Sequence, residues 1–353
     1  MGDQEKGLCV SKLQTSEMSD HGQAAIIVES ATCLLMNAVS LIGNLLVCFA
    51  VYKNPRLRTT TNLYIIGLAA TDLLSASLVM PFTSGVLVTR KWSFGKTYCD
   101  IHGFLANFGL FVSTSIMGLT AFNRYVRIVK TDRYNRIFTP RKSRAVLASL
   151  CVFIAGYIVI PHFVRLQEFG FDPDYASCHI IHLTEAGKIA HYCIVVFFFL
   201  ILPFSVAIFC YVKVFKAIKQ HNLDIAPTLQ SSIRKARITA QEIKISKSLF
   251  VVVLGFGMCW IPAWILAIIK RFCLMPSLPG EVYLVHPGLV FLSSSTNVFI
   301  YAGMNNSFKA EFRRILSCYT WVNSAMVSPQ MPHHELMELR LQNHQGPISQ
   351  KSR

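Results

Sequence analysis

Charged residues are scarce in this chain of 353 residues: they make up 15% of it, whereas hydrophobic residues make up 53%. Soluble domains typically carry about 25% charged residues, because their surfaces face water. The shortage argues against a water-soluble protein of this length. It predicts instead a chain whose outer surface is covered by lipid.

Few charged residues occur in seven long stretches, each of which reaches the roughly 20 residues that an α-helix needs to cross a bilayer. They run approximately over 25–52, 61–88, 98–129, 143–164, 187–214, 245–269 and 284–304. One such stretch could be a buried helix of a soluble protein, but seven leave too little polar chain to surround them. We therefore expect an all-α membrane protein with a seven-transmembrane helix bundle at residues 25–304.

The net charge of +16 is unevenly divided between alternate loops. The loops after the first, third and fifth stretches and the segment after the seventh hold 21 Lys and Arg residues, and the other loops hold seven. Cytoplasmic loops carry the basic excess. We therefore expect residues 1–24 to be an extracellular tail, the C-terminus to be cytoplasmic, and the positive charge to face membrane lipids and protein partners rather than nucleic acid.

Eleven cysteines are present, most of them inside the predicted spans. Cys99 and Cys178 both fall on the outer, oxidising side, so we expect them to form a disulfide, with two free thiols as the alternative. Cys273 is also external. Cys9 is a weak candidate for its partner.

Asp72 is the one carboxylate near the middle of a predicted span, where a charge costs at least about 2.5 kcal/mol. Asn44, Ser113, Ser294 and Asn297 lie at comparable depths in other spans. These side chains could form a chamber that holds Asp72 as an anion beside a hard cation with oxygen ligands. Plain hydrogen bonding between helices is the alternative.

Features of other membrane proteins are missing from the sequence. It has no internal repeat and no series of buried charges, which disfavours a transporter or channel, although a transporter remains the rival class. An intramembrane enzyme would need a second catalytic carboxylate or a metal-binding set of His and Glu at depth, and neither is found. We expect no enzymatic activity.

The spans carry their marked residues in an order that resembles rhodopsin-like (class A) G-protein-coupled receptors over roughly residues 25–318. The marks are Asn44, Asp72, Cys99 placed 25 residues before Arg124, Pro203 followed by Tyr211, Phe256, the run Cys259-Trp260-Ile261-Pro262, and Asn297 with Tyr301. The resemblance implies a seven-helix receptor for heterotrimeric G proteins. It also implies an allosteric sodium site at Asp72 with Ser113, Ser294 and Asn297, and an activation switch formed by Phe256, Trp260 and Pro262.

The stretch Asn123-Arg124-Tyr125 resembles the Asp-Arg-Tyr motif of this family, with asparagine in place of the acid. Arg124 therefore lacks its adjacent charge partner. Glu242, 20 residues before Pro262, lies where the family places the other half of an ionic latch. The resemblance implies an Arg124–Glu242 pair in the inactive state, with contact between Arg124 and lipid phosphates as the alternative.

Details of the sequence are most similar to melatonin receptors, including Asn-Arg-Tyr and Val298 where the family's seventh span has proline. Other details depart from them. The fourth span lacks the tryptophan of those receptors, and Phe199 stands where they have a histidine. The resemblance therefore does not identify the agonist.

The resemblance also constrains the ligand. Ala106 replaces the aspartate that binds protonated amines in amine receptors, and Phe291 replaces the lysine that holds retinal in opsins. The expected pocket is Ala106, Asn107, His182, Val195, Phe199, Trp260, Trp264 and Phe291. Its composition suits a neutral amphipathic molecule, such as a melatonin-like ligand. A receptor for a peptide or lipid, or a non-photoreceptive opsin-like receptor, is the alternative.

After the seventh span we expect an amphipathic eighth helix over 305–318 and a disordered cytoplasmic tail over 319–353. Cys318 is a candidate for palmitoylation. Besides the G protein, receptor kinases, arrestin and membrane lipids are expected partners of this face.

Overall fold

The computed structural model describes residues 23–225, 239–275 and 280–327. Each predicted span is helical. The spans are Gln23–Lys53 (first), Thr60–Leu78 with Met80–Thr89 (second), Gly95–Val129 (third), Pro140–Phe163 (fourth), Glu185–Val195 with Leu202–Ile225 (fifth), Ala240–Arg271 (sixth) and Val285–Met304 (seventh). Short helical segments at Pro55–Leu57, Thr131–Ile137, Pro173–Tyr175 and Gly280–Tyr283 lie between them.

Six of these spans, among the described residues, are apolar and long enough by composition alone to cross a bilayer. The seventh span, 20 residues long, is less apolar because it contains Ser293, Ser294, Ser295 and Asn297. All four side chains are buried, so the polar groups face the interior of the bundle rather than lipid. The chain is a seven-helix membrane bundle, as the sequence predicts.

Large apolar side chains cover the outside of the bundle. On the fourth span, Val152, Phe153 and Phe163 are 74%, 69% and 79% exposed. A contiguous apolar surface of this kind is rare on soluble monomers, whereas hydrocarbon accommodates it. These faces therefore mark the contact with lipid.

The third span lies at the centre of the bundle. It contacts the second, fourth, fifth and sixth spans and both strands of an outer loop. Its central residues Phe111, Ile116, Met117 and Ala121 are buried. Because it is 35 residues long, its side chains contribute both to the outer cavity and to the inner face.

The fifth span changes its helical geometry just before Pro203. Residues Val196–Ile201 form a π-helical turn, in which the N–H of Leu202 bonds to the carbonyl of Phe197, five residues back. Proline has no N–H with which to continue an α-helical ladder. The wider turn changes which side chains face the bundle on its outer side.

The loop between the fourth and fifth spans forms a β-hairpin, an element that the all-α prediction did not include. Strand β1 (Gln167–Asp172) pairs antiparallel with strand β2 (Ser177–His182), and Phe171 is opposite Cys178. Asp172 accepts a hydrogen bond from the N–H of Asp174 at 3.2 Å, which closes the turn. The predicted disulfide between Cys99 and Cys178 is present and ties β2 to the outer end of the third span.

Cys273 is also disulfide-bonded, and its partner lies outside the described residues. The candidate partner named from the sequence, Cys9, falls there too. The sequence alone offered Cys273 no clear partner, whereas the structure shows it in a disulfide.

The first and seventh spans approach each other at Gly43. A Cβ atom placed on Gly43 would lie 2.7 Å from both Cγ atoms of Val298, far inside the roughly 3.5 Å at which carbon atoms pack. Glycine is therefore required at this position as long as the seventh span carries a β-branched side chain opposite it.

The chain divides into a unit that ends at Lys309 and a second that begins at Ala310. The last helix, Asn306–Val327, starts one residue after the expected start at 305 and continues beyond the expected end at 318. In the first unit, the ring of Phe308 stacks on Tyr301 with centroids 5.8 Å apart. The side chain of Cys318 and the tail from 328 lie outside the described part of the chain.

Candidate functional site: outer cavity, polar chamber and inner ionic cluster

An outer cavity lies between the second, third, fifth, sixth and seventh spans, with strand β2 at its mouth and Asp72 at its bottom. Seven of the eight side chains predicted to form the pocket line it. They are Ala106, Asn107, His182, Val195, Trp260, Trp264 and Phe291. The lining is therefore mostly aromatic and aliphatic, with a few polar groups near the mouth.

Phe199, the eighth predicted residue, is not part of the lining. It is 4% exposed and stacks on Phe111 with ring centroids 4.3 Å apart. The cause is local geometry, because Phe199 lies inside the π-helical turn and is not placed as α-helical counting from Pro203 implies.

Several polar residues of the cavity were not predicted as pocket residues, among them Tyr175, His179, Tyr192 and Arg271. Arg271 is the last residue of the sixth span, which the sequence analysis assigned to a loop. Its guanidinium lies beside the hydroxyl of Tyr192. A signal was present, since the pattern of the sixth span continues without a helix-ending glycine or proline up to this residue.

An ionic cluster holds the hairpin against the outer end of the sixth span. Lys270 is 5% exposed and pairs with Asp172 and, at 2.7 Å, with Asp174. Its ammonium lies 4.5 Å from the ring centre of Tyr175 and 5.5 Å from that of Tyr283. The sequence carries no sign of this cluster, because its members come from the hairpin and from the end of the sixth span, which are distant in the chain.

The histidines of β2 are neutral at physiological pH. Burial, with smaller contributions from the nearby cations Arg271 and Lys188, lowers the pKa of His182 to about 4. Burial also lowers the pKa of His179 well below its ordinary value, with His286 and Arg271 contributing. The ring of His182 lies 4.6 Å from that of His191. These side chains are available as neutral hydrogen-bonding groups.

The wall of this cavity carries buried polar atoms that have no hydrogen-bond partner. The indole Nε1 atoms of Trp260 and Trp264 are buried without a hydrogen-bond partner, as are the Nε2 atoms of His179 and His182 and the hydroxyl of Tyr175. Burying such groups unpaired costs free energy. The wall is therefore complementary to a molecule that supplies the missing partners.

The predicted activation switch consists of Phe256, Trp260 and Pro262 in the sixth span. Trp260 packs on Phe256 with ring centroids 5.6 Å apart, and both line the cavity. Pro262 lies inside the same helix. It removes one backbone hydrogen bond and provides a site at which the sixth span can bend.

The polar chamber surrounds Asp72, which is 5% exposed. The Nδ2 of Asn297 donates to Asp72 Oδ2 at 3.0 Å, and Ser294 hydrogen-bonds the same carboxylate. Asn44 Nδ2 donates to the carbonyl of Ser294 at 3.3 Å. Ser113, predicted to join this set, is instead 2.9 Å from the hydroxyl of Thr71.

The inner ionic cluster joins the third and sixth spans. Arg124, 2% exposed, donates from Nη1 to Glu242 Oε2 at 2.9 Å, and Arg127 donates from Nε to Glu242 Oε1 at 3.1 Å. Arg124 also hydrogen-bonds Thr61 and Asn123. The resemblance to the receptor family implied the first of these contacts, and the structure adds Arg127 and Thr61.

None of the three predicted tyrosines hydrogen-bonds Arg124 or Glu242, although Tyr211 lies close enough to Arg124 to interact with it electrostatically. Tyr211 and Tyr301 are each 1% exposed, and the hydroxyl of Tyr211 has no hydrogen-bond partner. Tyr125, although next to Arg124 in sequence, packs on Phe209 of the fifth span with ring centroids 5.9 Å apart. The structure thus brings Arg124 and Glu242 together but directs Tyr125 elsewhere.

Known proteins match this chain over most of its length. Melatonin receptor type 1B-B of Danio rerio is 26% identical over 309 residues, which cover 86% of this chain and 85% of that protein. Melatonin receptor type 1A of Mus musculus is 27% identical over 283 residues, covering 79% and 77%. The chain is thus similar to melatonin receptors.

The crystal structure of squid rhodopsin aligns with 95% of this chain and 95% of that chain, at a TM-score of 0.73 and 17% identity. This likeness shows the shared fold. The family model described as "7 transmembrane receptor (rhodopsin family)" matches residues 43–301. Because this match covers well over half of the sequence, the chain belongs to the rhodopsin family of seven-transmembrane receptors and is a receptor, not an enzyme.

Proposed function

We propose that the chain is a plasma-membrane receptor with its N-terminus outside the cell, which binds a small extracellular molecule in the outer cavity and activates heterotrimeric G proteins. Outward movement of the sixth span is the activating step. The observation that carries the proposal is the buried contact of 2.9 Å between Arg124 and Glu242, which holds the inner ends of the third and sixth spans together.

The sixth span connects this contact to the cavity. Trp260 lines the cavity and lies 18 residues after Glu242 in one helix, which is about 27 Å at the α-helical rise. A ligand that changes the packing of Trp260 moves the inner part of the sixth span, and the helix bends at Pro262. The ligand shifts the equilibrium only if it binds the released state more tightly.

The proposed ligand is a small amphipathic molecule without a cationic amine. Support comes from Ala106, which offers no counter-ion, and from the aromatic wall at Trp264 and Phe291. The relatives are named melatonin receptors, so amphiphiles with a melatonin-like indole body are the first compounds to screen.

The test is nucleotide exchange on purified heterotrimeric G proteins in membranes that contain the chain. We expect a basal rate above that of empty membranes and a further rise with an agonist found by screening indoles and other amphiphiles. A variant with Arg124→Ala should lose the response at equal surface expression. Absence of exchange with every G-protein class, together with a solute-dependent current or flux, would favour a transporter.

We further propose that a sodium ion binds in the polar chamber and favours the inactive state. The residues fit a hard cation, since Asp72 supplies an anionic oxygen and the buried Oδ1 of Asn44 has no hydrogen-bond partner. Ser294, Asn297 and Ser113 carry the remaining oxygens nearby. Among the described residues no cluster of three His, Cys, Asp or Glu could hold a metal ion, so the ion would depend on Asp72 and neutral groups.

Asp72→Asn should abolish the sodium dependence of the receptor, because it removes the one charge that attracts the ion while keeping the size of the side chain. We expect wild-type basal exchange to fall as NaCl replaces N-methylglucamine chloride at constant ionic strength, and the variant to give a flat curve. Asp100→Asn, which removes an outer carboxylate paired with Lys96, is the control and should respond like wild type. Equal sodium dependence in wild type and Asp72→Asn would contradict the site.

Arrestin, receptor kinases and membrane lipids remain predicted partners of the inner face, and palmitoylation of Cys318 remains a prediction. The serines of the tail that kinases would modify lie outside the described residues.

A further inference from the structure

Arg271 is a cation placed on the wall of the outer cavity. It ends the sixth span, lines the cavity, and its side chain is 15% exposed. A guanidinium has five N–H donors and no acceptor, and it stays charged. Taking such a group out of water without strong partners is costly, so its partners decide what the cavity can bind.

The acidic groups nearest to Arg271 are engaged elsewhere. Lys270 pairs with both Asp172 and Asp174, and Arg271 reaches Asp172 Oδ2 only at 3.9 Å. Its other neighbours are the hydroxyl groups of Tyr192 and Tyr175. A guanidinium can make two parallel bonds to one carboxylate, and this arrangement leaves most of that capacity unused.

The other unpartnered groups of the wall are also mainly donors. The indole Nε1 of Trp260 and that of Trp264 can only donate, and their side chains are 6% and 7% exposed. On the described lining Asp72 is the single carboxylate, and it is bonded to Asn297 and Ser294. The cavity therefore offers positive charge and N–H groups and calls for an acceptor from its ligand.

We infer that the natural ligand of the outer cavity carries a carboxylate that binds Arg271, while its aromatic or aliphatic body packs on Trp260, Trp264 and Phe291. The inference deepens the proposed function and rests on it, in that the outer cavity is the agonist site. It replaces the wholly neutral ligand expected from the sequence, because that expectation placed Arg271 in a loop.

The inference is tested on the full-length chain in detergent, without G protein, from the concentration dependence of the melting temperature. The probes are benzoate, 3-phenylpropionate and indole-3-acetate, their methyl esters, and the amines phenethylamine and tryptamine. We expect the acids to stabilise wild type with apparent affinities about tenfold or more above those of their esters, and the amines to bind weakest.

Arg271→Gln should weaken binding of the acids by about 10- to 100-fold and leave the esters unchanged. Arg271→Lys, which keeps the charge but loses the bidentate geometry, should retain part of the preference. The matched control is Lys188→Gln, which removes another cation from this end of the bundle. Lys188 is not on the cavity lining, so this variant should behave like wild type.

Three outcomes would overturn the inference: esters or amines that stabilise wild type as well as the acids do, an acid preference that survives in Arg271→Gln, or no effect of any acid up to about 10 mM. If Arg271→Gln does not fold, the comparison of acids with esters in wild type and Arg271→Lys decides. Binding of the acids without nucleotide exchange would contradict the proposed activation of G proteins but not the inferred carboxylate site. Exchange driven by an ester or amine but not by an acid would contradict the carboxylate alone.

Discussion

Replacing Glu242 with glutamine should raise basal nucleotide exchange on the G protein by roughly tenfold or more. Glu242 accepts bonds from Arg124 at 2.9 Å and from Arg127 at 3.1 Å, so the substitution removes two charge-assisted contacts from the closed inner face while keeping the shape of the side chain. Hydrogen bonds to charged groups are worth about 1.5–3 kcal/mol each. Because Glu242 is 22% exposed, we expect the lower part of that range.

Asp132→Asn provides the control for this experiment. Asp132 also lies at the inner face, but its side chain is 78% exposed and its pair with Arg133 is 3.9 Å long, so removing its charge should leave the basal rate within about twofold. Both variants are compared with wild type at equal surface expression. An unaltered rate in Glu242→Gln would mean that the contact does not restrain the sixth span.

Lys270→Met should lower the stability of the solubilised receptor by about 3 kcal/mol, measured as a fall in melting temperature. The variant leaves Asp172 and Asp174 without the buried cation that compensates them, and it also removes the cation–π contact with Tyr175. Breaking a buried pair by deleting one partner typically costs about 3–5 kcal/mol. The two aspartates are 12% and 17% exposed. Because water reaches them in part, we expect a loss of stability at the lower end of this range.

A triple variant that combines Lys270→Met with Asp172→Asn and Asp174→Asn should recover much of this loss, because the lysine and both of its carboxylates are removed together. Arg271 then loses only its contact of 3.9 Å with Asp172. The Asp172→Asn and Asp174→Asn pair without the lysine change should be destabilised, since it leaves Lys270 unpaired. Equal melting temperatures in wild type and Lys270→Met would show that water, and not Lys270, compensates the two carboxylates.

The contacts along the axis of the bundle follow from the sequence. Once a helix has a length and a direction, the depth of a residue is set by counting along it. Arg124 and Glu242 both fall at the inner end, and Asp72 and Asn297 both fall near the middle, so their meeting in the structure reflects a depth that the sequence contains.

The residues that differ from expectation do so around the helix axis or at helix ends. Phe199 turns away from the cavity because the preceding residues form a π-helical turn, which counting from Pro203 does not reveal. Arg271 enters the cavity because the sixth span continues to that residue. Ser113 bonds to Thr71, a choice between two neighbouring hydroxyl groups that composition cannot settle.

The ionic cluster around Lys270 could not have been found from its own segment. Its partners come from the turn of the hairpin, about 100 residues earlier in the chain, and the hairpin was itself not predicted. Short strands held by one disulfide carry little periodic signal, and their register depends on the turn. The side chains of such a hairpin find their partners only in the tertiary fold.

The contact between Gly43 and Val298 has a consequence for the chamber that contains Asp72. Asn44 directly follows Gly43, and Asn297 directly precedes Val298. The van der Waals contact between Gly43 and Val298 therefore sets the distance between the backbones that carry Asn44 and Asn297. A methyl group at Gly43 would wedge the helices open and enlarge the space around the carboxylate, whereas Gly43→Ala combined with Val298→Ala would restore the clearance. Gly43 and Val298, which have no charged or hydrogen-bonding side chain, thus determine the size of the polar chamber around Asp72.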